Sequence, residues 1–389
     1  MSSLDTWRSD TPGCKTRIHL NNAGAALMPS VVSDAITRHI RLESEIGGYE
    51  AHEAAETEIR GVYDDLARYI GASPGEIAIV ENATVAFAQA LSAFDLRSGD
   101  AIITSRADYP SNQLMYLSLA RRLGVEIRRA ADLPEGGVDP ESVRALARDG
   151  RCRVIAITWV PTNSGLIQNV EAIGAIAEEL EIPYIIDACQ SVGQIPIDVR
   201  RLKCDFLGAA ARKFLRGPRG VGFLYVSDKI AGRGASPLYV DMRGADWTSP
   251  NTYALASGGR RFENWEFAYA LVLGMGAAVR YAQTVGDAQY RRPAELADRL
   301  RTLLASVPQV RVTDLGRQRA AIVTAAVSGR DPEHVKLAMR ARKVNIWTSE
   351  PQEGANDARG EELLRLSPHY YNTEDELETA VATLTEILS

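Results

Sequence analysis

Residues 182–222 read IPYIIDACQSVGQIPIDVRRLKCDFLGAAARKFLRGPRGVG. Two short runs, 182–186 and 205–208, lack the alternation of half-exposed strands and read as strands covered on both faces. The first ends in Asp187. The second leads through Ala209-Ala210-Ala211-Arg212 to Lys213 and then to a Gly-rich turn, Gly217-Pro218-Arg219-Gly220, which returns to a further run at 221–226. Outward from this stretch the same alternation recurs. Ile77–Val80 is followed by Asn82-Ala83-Thr84 and a helical pattern to about Phe94. Ala101–Thr104 is followed by a loop and a helix over 114–123. The run 154–159 is followed by a loop and then Val170, Ile173, Ile176, Ala177 and Leu180 at helical spacing. Buried strands alternating with helices specify an α/β fold with a mostly parallel central sheet. Beyond about residue 270 come a helical run over 271–285, charged helical patterns, short strands at 309–313, 321–326 and 343–348, and a helix over Glu374–Leu388. The division expected is a large domain over 25–270 and a smaller α+β C-terminal domain over 271–389, with residues 1–24 packing near the latter.

Composition narrows the possible functions. The chain has 389 residues, 46% hydrophobic and 24% charged, as in an ordinary globular protein rather than a disordered or fibrous one. A net charge of −6 argues against a phosphate-binding footprint for nucleic acid. The longest mostly apolar uncharged run, 267–279, is too short to span a bilayer. Residues 1–15 carry no apolar signal core, so the expected location is the cytoplasm. Cys14, Cys152, Cys189 and Cys204 form no C-x-x-C pair, and the histidines are scattered, so neither a zinc site nor a disulfide framework is expected. Of 44 basic residues only six are lysines. In a chain that prefers arginine, a lysine in a sheltered setting draws notice, because lysine can lose its proton and act as an amine nucleophile.

Open α/β sheets bind ligands at the carboxyl ends of their strands. Neither G-x-G-x-x-G nor G-x-x-x-x-G-K-[ST] occurs there. Glu81-Asn82-Ala83-Thr84 opens a helix, where a hydroxyl and free amides suit either phosphate binding or simple capping. Asp187 ends an apolar strand and is costly to bury alone, so it serves either a turn or a cationic ligand atom. Lys213 is either a loop lysine or a nucleophile. Together, phosphate donors, a carboxylate and a sheltered lysine are what pyridoxal phosphate (PLP) needs: an amine to carry it and an acid partner for its pyridine nitrogen.

The order of these features resembles fold-type I PLP-dependent enzymes. The segments 185–198 and Arg212-Lys213 with 217–222 resemble the class V aminotransferase and cysteine desulfurase superfamily, and the likeness runs from His19-Leu20-Asn21-Asn22-Ala23-Gly24 to Tyr371-Asn372-Thr373-Glu374-Asp375. It implies that Lys213 is the Schiff-base lysine and that Asp187 pairs with the pyridine nitrogen. It further implies that Gln190 hydrogen-bonds the ring's phenolic oxygen, and that Ala83 and Thr84 bind the phosphate. Arg212, standing where the family usually has histidine, would aid them. Tyr109 would stack on the ring. Asn163, with a one-residue ambiguity of register, and Arg365 would bind the substrate carboxylate. Arg261-Phe262-Glu263 matches a stretch that crosses to the partner of a homodimer, without the threonine that usually follows. Segments 21–24, 43–49 and 109–112 look most like the ergothioneine-type C–S lyase and isopenicillin N epimerase-like branch, which adds Asn22 and Tyr49 as substrate contacts. Residues 347–365, WTSEPQEGANDARGEELLR, lack the nucleophilic cysteine of the desulfurases, and Cys189 reads as core.

Four readings follow in order. The first is a PLP-dependent β-lyase cleaving the C–S bond of an S-substituted L-cysteine to a thiol or sulfenic acid, pyruvate and ammonia. The second keeps the cofactor for transamination, epimerisation or decarboxylating oxidative deamination in a natural-product pathway. The third is desulfuration of cysteine. The fourth, a pseudoenzyme or binding protein that kept the fold, conflicts with the presence of both Asp187 and Lys213. An entrance lined by Tyr49, Tyr109, Trp347 and the loop 350–360 is expected to admit a large or polar substituent.

Overall fold

The computed structural model describes residues 3–349 and 361–389. Its centre is a seven-stranded sheet. In space the strands run Ile77–Val80, Gly222–Val226, Phe206–Ala210, Tyr184–Asp187, Cys152–Thr158, Ala101–Thr104 and Glu126–Arg129. Gly222–Val226 is antiparallel to both neighbours, and the other contacts between adjacent strands are parallel. This is the α/β, mostly parallel architecture expected of a fold-type I PLP enzyme.

Helices cover both faces, which explains the unbroken apolar runs. Every residue of Ile77–Val80, Ala101–Thr104, Tyr184–Asp187, Phe206–Ala210 and Gly222–Val226 is buried. On one face, helices Ser30–Ile46, Gly48–Ile70 and Tyr269–Val285 pack together and join a core that continues into Leu364, Leu377 and Leu384. On the other, Phe87 and Leu91 of the helix Ala83–Ser92 meet Tyr116, Phe206, Leu224 and Phe262.

The strand Glu126–Arg129 was not expected from the sequence. It is an edge strand of sequence EIRR, whose Arg128 turns to Asp149 and Glu126 rather than into an apolar layer. An edge strand has one neighbour and keeps charges, so it carries no apolar run. Helix Pro110–Leu123 begins four residues before the 114 read from periodicity, because Pro110 sits at its first position with φ already set.

The C-terminal region holds a four-stranded antiparallel sheet, ordered Val310–Val312, Val323–Val327, Leu363–Leu366, Trp347–Ser349. Leu363–Leu366 is a buried strand that the sequence reading did not mark. The amino end joins this region: Ile18–His19 pairs in parallel with Val344–Asn345, and Arg8 donates to the Tyr371 carbonyl and to Glu376. Among the described residues no helix is long and apolar enough to cross a membrane.

One contact sets the spacing of the central turns. Gly193, in the turn after Asp187, has φ +93°. A Cβ there would lie 2.2 Å from the carbonyl carbon of Phe214, the residue after Lys213. The two loops therefore touch backbone to backbone, at a dihedral only glycine adopts without strain. Gly193→Ala should lower unfolding free energy by roughly 2–4 kcal/mol. Denaturant melts of the variant check this.

Candidate active site

Three parallel strands end around a cavity of about 400 Å³. Asp187 is the last residue of its strand and stands in register with Thr158, the last residue of the next. In Phe206–Ala210 it is Gly208 that stands in register with Asp187, so this strand runs past that level and on into Arg212 and Lys213, and all five of Thr158, Asp187, Ala210, Arg212 and Lys213 line the cavity. Helix Ala83–Ser92 aims its amino end at it. Asn82, not Thr84, caps that helix, accepting from the Val85 amide at 3.0 Å. Ala83 and Thr84 line the cavity, and the first amides of a helix have no partner within it. With the positive end of the helix dipole this makes an anion cradle.

Charge is distributed unevenly here. Asp187 is buried. Its Oδ2 accepts from Asn112 Nδ2 at 2.9 Å and its Oδ1 from the Cys189 amide at 2.9 Å. Among the described residues no cation pairs with it. A carboxylate out of water with two donors is under-compensated, so the site favours a cationic atom against its free lone pairs. Lys213 is buried too, and its Nζ lies 5.7 Å from the centre of the Tyr109 ring. Gln190 donates to the Ala23 carbonyl at 3.1 Å and Thr162 Oγ1 at 3.2 Å, while its Oε1 is buried with no partner among the described residues.

Two guanidinium groups complete the rim. Arg212 donates to the Gly24 carbonyl, and burial pulls its pKa down. Arg365 donates to the Thr162 carbonyl at 3.1 Å and to Asn21 Oδ1 at 3.4 Å, while its Nε is buried and has no partner among the described residues. Burial, with the Arg212 charge nearby, lowers its pKa to about 10.

Thus Ala83, Thr84, Tyr109, Asp187, Gln190, Arg212 and Lys213 line a single cavity, and Arg365 stands beside it. Three expected substrate contacts do not reach it within this chain. Asn22 spends its amide on the Ser367 and His19 carbonyls and accepts from Tyr371 at 2.5 Å, so it is a buried strut, and Asn21 faces Arg365 instead. Tyr49 is 73% exposed near the start of helix Gly48–Ile70. Asn163 is not among the lining residues, whereas its neighbour Thr162 is. Trp347 is partly exposed and packs under Lys336 at 4.5 Å rather than in the cavity. The loop 350–360 lies outside the described residues. Arg261-Phe262-Glu263 is internal in this chain: Arg261 bonds the carbonyls of Ala231, Ala235 and Ala256, and Glu263 bonds Arg243, Tyr63 and the Ile79 amide.

Cys189 is not core. It is half-buried and lines the cavity, because the turn that sends its amide to Asp187 leaves its side chain on the open side. The sequence reading also missed Asn112, Thr158 and Thr162. Asn112 had one signal: it lies one helical turn after Tyr109.

The residues 18–379 match the class-V aminotransferase family model. The chain belongs to the class-V aminotransferase family. It is 28% identical to a probable hercynylcysteine sulfoxide lyase of Mycobacterium tuberculosis, over 98% of this chain and 93% of that one. It is 26% identical to a probable cysteine desulfurase of Methanothermobacter thermautotrophicus, over 98% and 97%. Among solved structures, a cysteine desulfurase of Thermococcus onnurineus superposes with a TM-score of 0.90 at 24% identity, covering 99% of this chain and 98% of that one. A cystine C–S lyase in complex with cysteine persulfide superposes with a TM-score of 0.85 at 24% identity, covering 97% and 99%.

Class-V aminotransferases are PLP enzymes, and the donor set here fits that cofactor. The uncompensated Asp187, the open helix end at Ala83 and Thr84, the orphaned oxygen of Gln190 and the buried Lys213 all face or border one cavity. Borohydride reduction of the purified protein should tether PLP to a peptide containing Lys213, read by mass spectrometry. Lys213→Ala should abolish turnover and leave any bound PLP non-covalent; a tether at another lysine contradicts the site. Asp187→Ala should lose at least tenfold more activity than Asp187→Glu, because the second variant keeps an opposing charge.

Proposed function

We propose that this chain is a PLP-dependent β-lyase that cleaves the C–S bond of an S-substituted L-cysteine. The products are a thiol or sulfenic acid, pyruvate and ammonia, with one water consumed. The observation that carries the reading is Arg365: a buried guanidinium beside the cavity, with a free Nε and no carboxylate partner among the described residues. A planar fork of donors without an anion suits an α-carboxylate. The relatives named as a hercynylcysteine sulfoxide lyase and as desulfurases support a sulfur-bearing amino acid as the substrate class.

Bound PLP supplies an electron sink for the bond broken at Cα. The chain does the rest. Arg365 and Thr162 orient the α-carboxylate at the rim. Lys213 Nζ, held below Tyr109, takes the Cα proton and is placed to return it to the departing sulfur. Asp187 would keep a proton on the pyridine nitrogen. The amides of Ala83 and Thr84, with Arg212, would hold the phosphate.

A second reading, desulfuration onto a cysteine of this chain, is favoured by Cys189, whose side chain lines the cavity. Its acceptor would be Cys189 itself, since residues 350–360 contain no cysteine. Cysteine S-conjugates should release pyruvate without an added keto acid, and Cys189→Ser should leave that release within about threefold of wild type. Sulfur transfer from L-cysteine that yields alanine and vanishes in Cys189→Ser would select the second reading. Conversion that depends on a keto acid and gives no pyruvate would select an aminotransferase. Arg365→Ala should lower kcat/KM about 100-fold, chiefly through KM.

The same proposal includes a homodimer. Trp247 and Tyr253 stand side by side and exposed on the hairpin Ala245–Ser249/Thr252–Leu255, and Leu238, Tyr239, Met242 and Trp265, exposed too, flank it in sequence. Apolar surface in such a cluster marks an interface. Sedimentation at micromolar concentration should return twice the 42.4 kDa chain mass.

A further inference from the structure

Behind Asp187 lies a second carboxylate that the reaction above does not use. Asp108, between strand Ala101–Thr104 and helix Pro110–Leu123, is buried. Five donors converge on it. Its Oδ1 accepts from the Tyr109 amide at 2.6 Å, from Asn112 Nδ2 at 3.0 Å and from Thr158 Oγ1. Its Oδ2 accepts from Gln113 Nε2 at 2.8 Å and Thr104 Oγ1 at 3.4 Å. Among the described residues no lysine, arginine or histidine pairs with it. The donors come from three elements: the end of Ala101–Thr104, the end of Cys152–Thr158 and the first turn of Pro110–Leu123. Such a cluster is built to hold an anion without a counter-ion.

One group connects the two acids. Asn112 Nδ2 donates to Asp108 Oδ1 at 3.0 Å and to Asp187 Oδ2 at 2.9 Å. Thr158 Oγ1 also accepts from it at 3.4 Å, and three acceptors on one amide nitrogen settle which way that amide faces: its nitrogen is held toward both carboxylates and its oxygen away. We propose that Asp108 is a positioning residue that acts through Asn112, locking the Asp187 carboxylate toward the cavity and strengthening its hold on a protonated pyridine nitrogen. The inference rests on the PLP site described above. Removing the Asp108 charge frees the Asn112 amide to turn its oxygen toward Asp187, which would repel it. The other ionisable group packed here, Tyr116, is buried and its pKa is pushed well up, first by burial and then by Asp108, so it stays neutral. Burial, with Asp187 adding to it, likewise pushes Asp108 upward, against the pull of its donors.

The test is a double-mutant cycle read by PLP affinity. Apo protein is titrated with PLP and the dissociation constant is taken from absorbance, with far-UV circular dichroism and melting temperature recorded for each variant. Asp187→Asn should weaken PLP binding. Asp108→Asn should weaken it about tenfold when Asp187 is present and less than twofold in the Asp187→Asn background. Asn112→Ala, which removes the bridge but leaves both acids, should show the same dependence on Asp187 and decides the matter if Asp108→Asn fails to fold. Equal losses in both backgrounds would make Asp108 a structural residue only and overturn the proposal, as would no loss at all. An unchanged affinity in Asp187→Asn overturns the site itself, and the relay with it.

Discussion

The structure turns on a carboxylate that no cation among the described residues neutralises. Asp187 stands at the end of a fully buried strand with two hydrogen-bond donors. Burying a lone anion costs several kcal/mol, so the surroundings must either supply donors or wait for a positive ligand. Here they do both. Asn112 and the Cys189 amide take part of the burden, and the remaining lone pairs border the cavity. The rim places Lys213, Arg212 and Arg365 about that one acid. This imbalance explains why the cavity suits a molecule carrying a cationic ring nitrogen at one end and anionic groups at the others.

The amino-terminal turn closes the site from above. Gln190 bonds the Ala23 carbonyl, Arg212 the Gly24 carbonyl, and Arg365 Asn21 Oδ1. Each of these cavity side chains thus reports on the position of residues 21–24. Just past the turn the chain is held at Leu27 by Arg216, which is buried and adopts φ +64°. Arg216 donates to the Leu27 carbonyl at 2.9 Å, to Tyr370 at 2.7 Å and to Thr11 at 2.5 Å, and its guanidinium lies 4.6 Å from the Tyr371 ring centre. A buried guanidinium is tolerated here through aromatic faces and oxygen acceptors. The loop that carries Lys213 is thereby fastened to both ends of the chain.

Much of the fold was readable along the sequence because it depends on local pattern. Ile77–Val80 and Ala101–Thr104 were read at their observed limits, as was the helix Glu374–Leu388, whose Thr373 and Glu376 form a capping box. The failures have physical causes. Glu126–Arg129 lies at an edge and needs no apolar residues. Leu363–Leu366 is short, and its arginine masks its burial. Pro183 moved the start of its neighbour strand to Tyr184, since a residue without an N–H cannot donate to the ladder.

The sequence by itself determined the alternation of buried strands and helices, the Asp187 to Lys213 spacing and the family likeness. Each is carried by residues near one another in the chain. Tertiary structure alone decided which polar side chains meet. It brought Asp108 and Thr158 together with Asn112, which reaches Asp187, turned Cys189 into the cavity, and left Arg365 without an anion among the described residues. It also removed Asn22 and Tyr49 from the site within this chain, one by spending its amide on backbone carbonyls and the other by facing it outward. A side chain's partners depend on where its strand ends in space, and periodicity along one strand carries no information about the ends of the others.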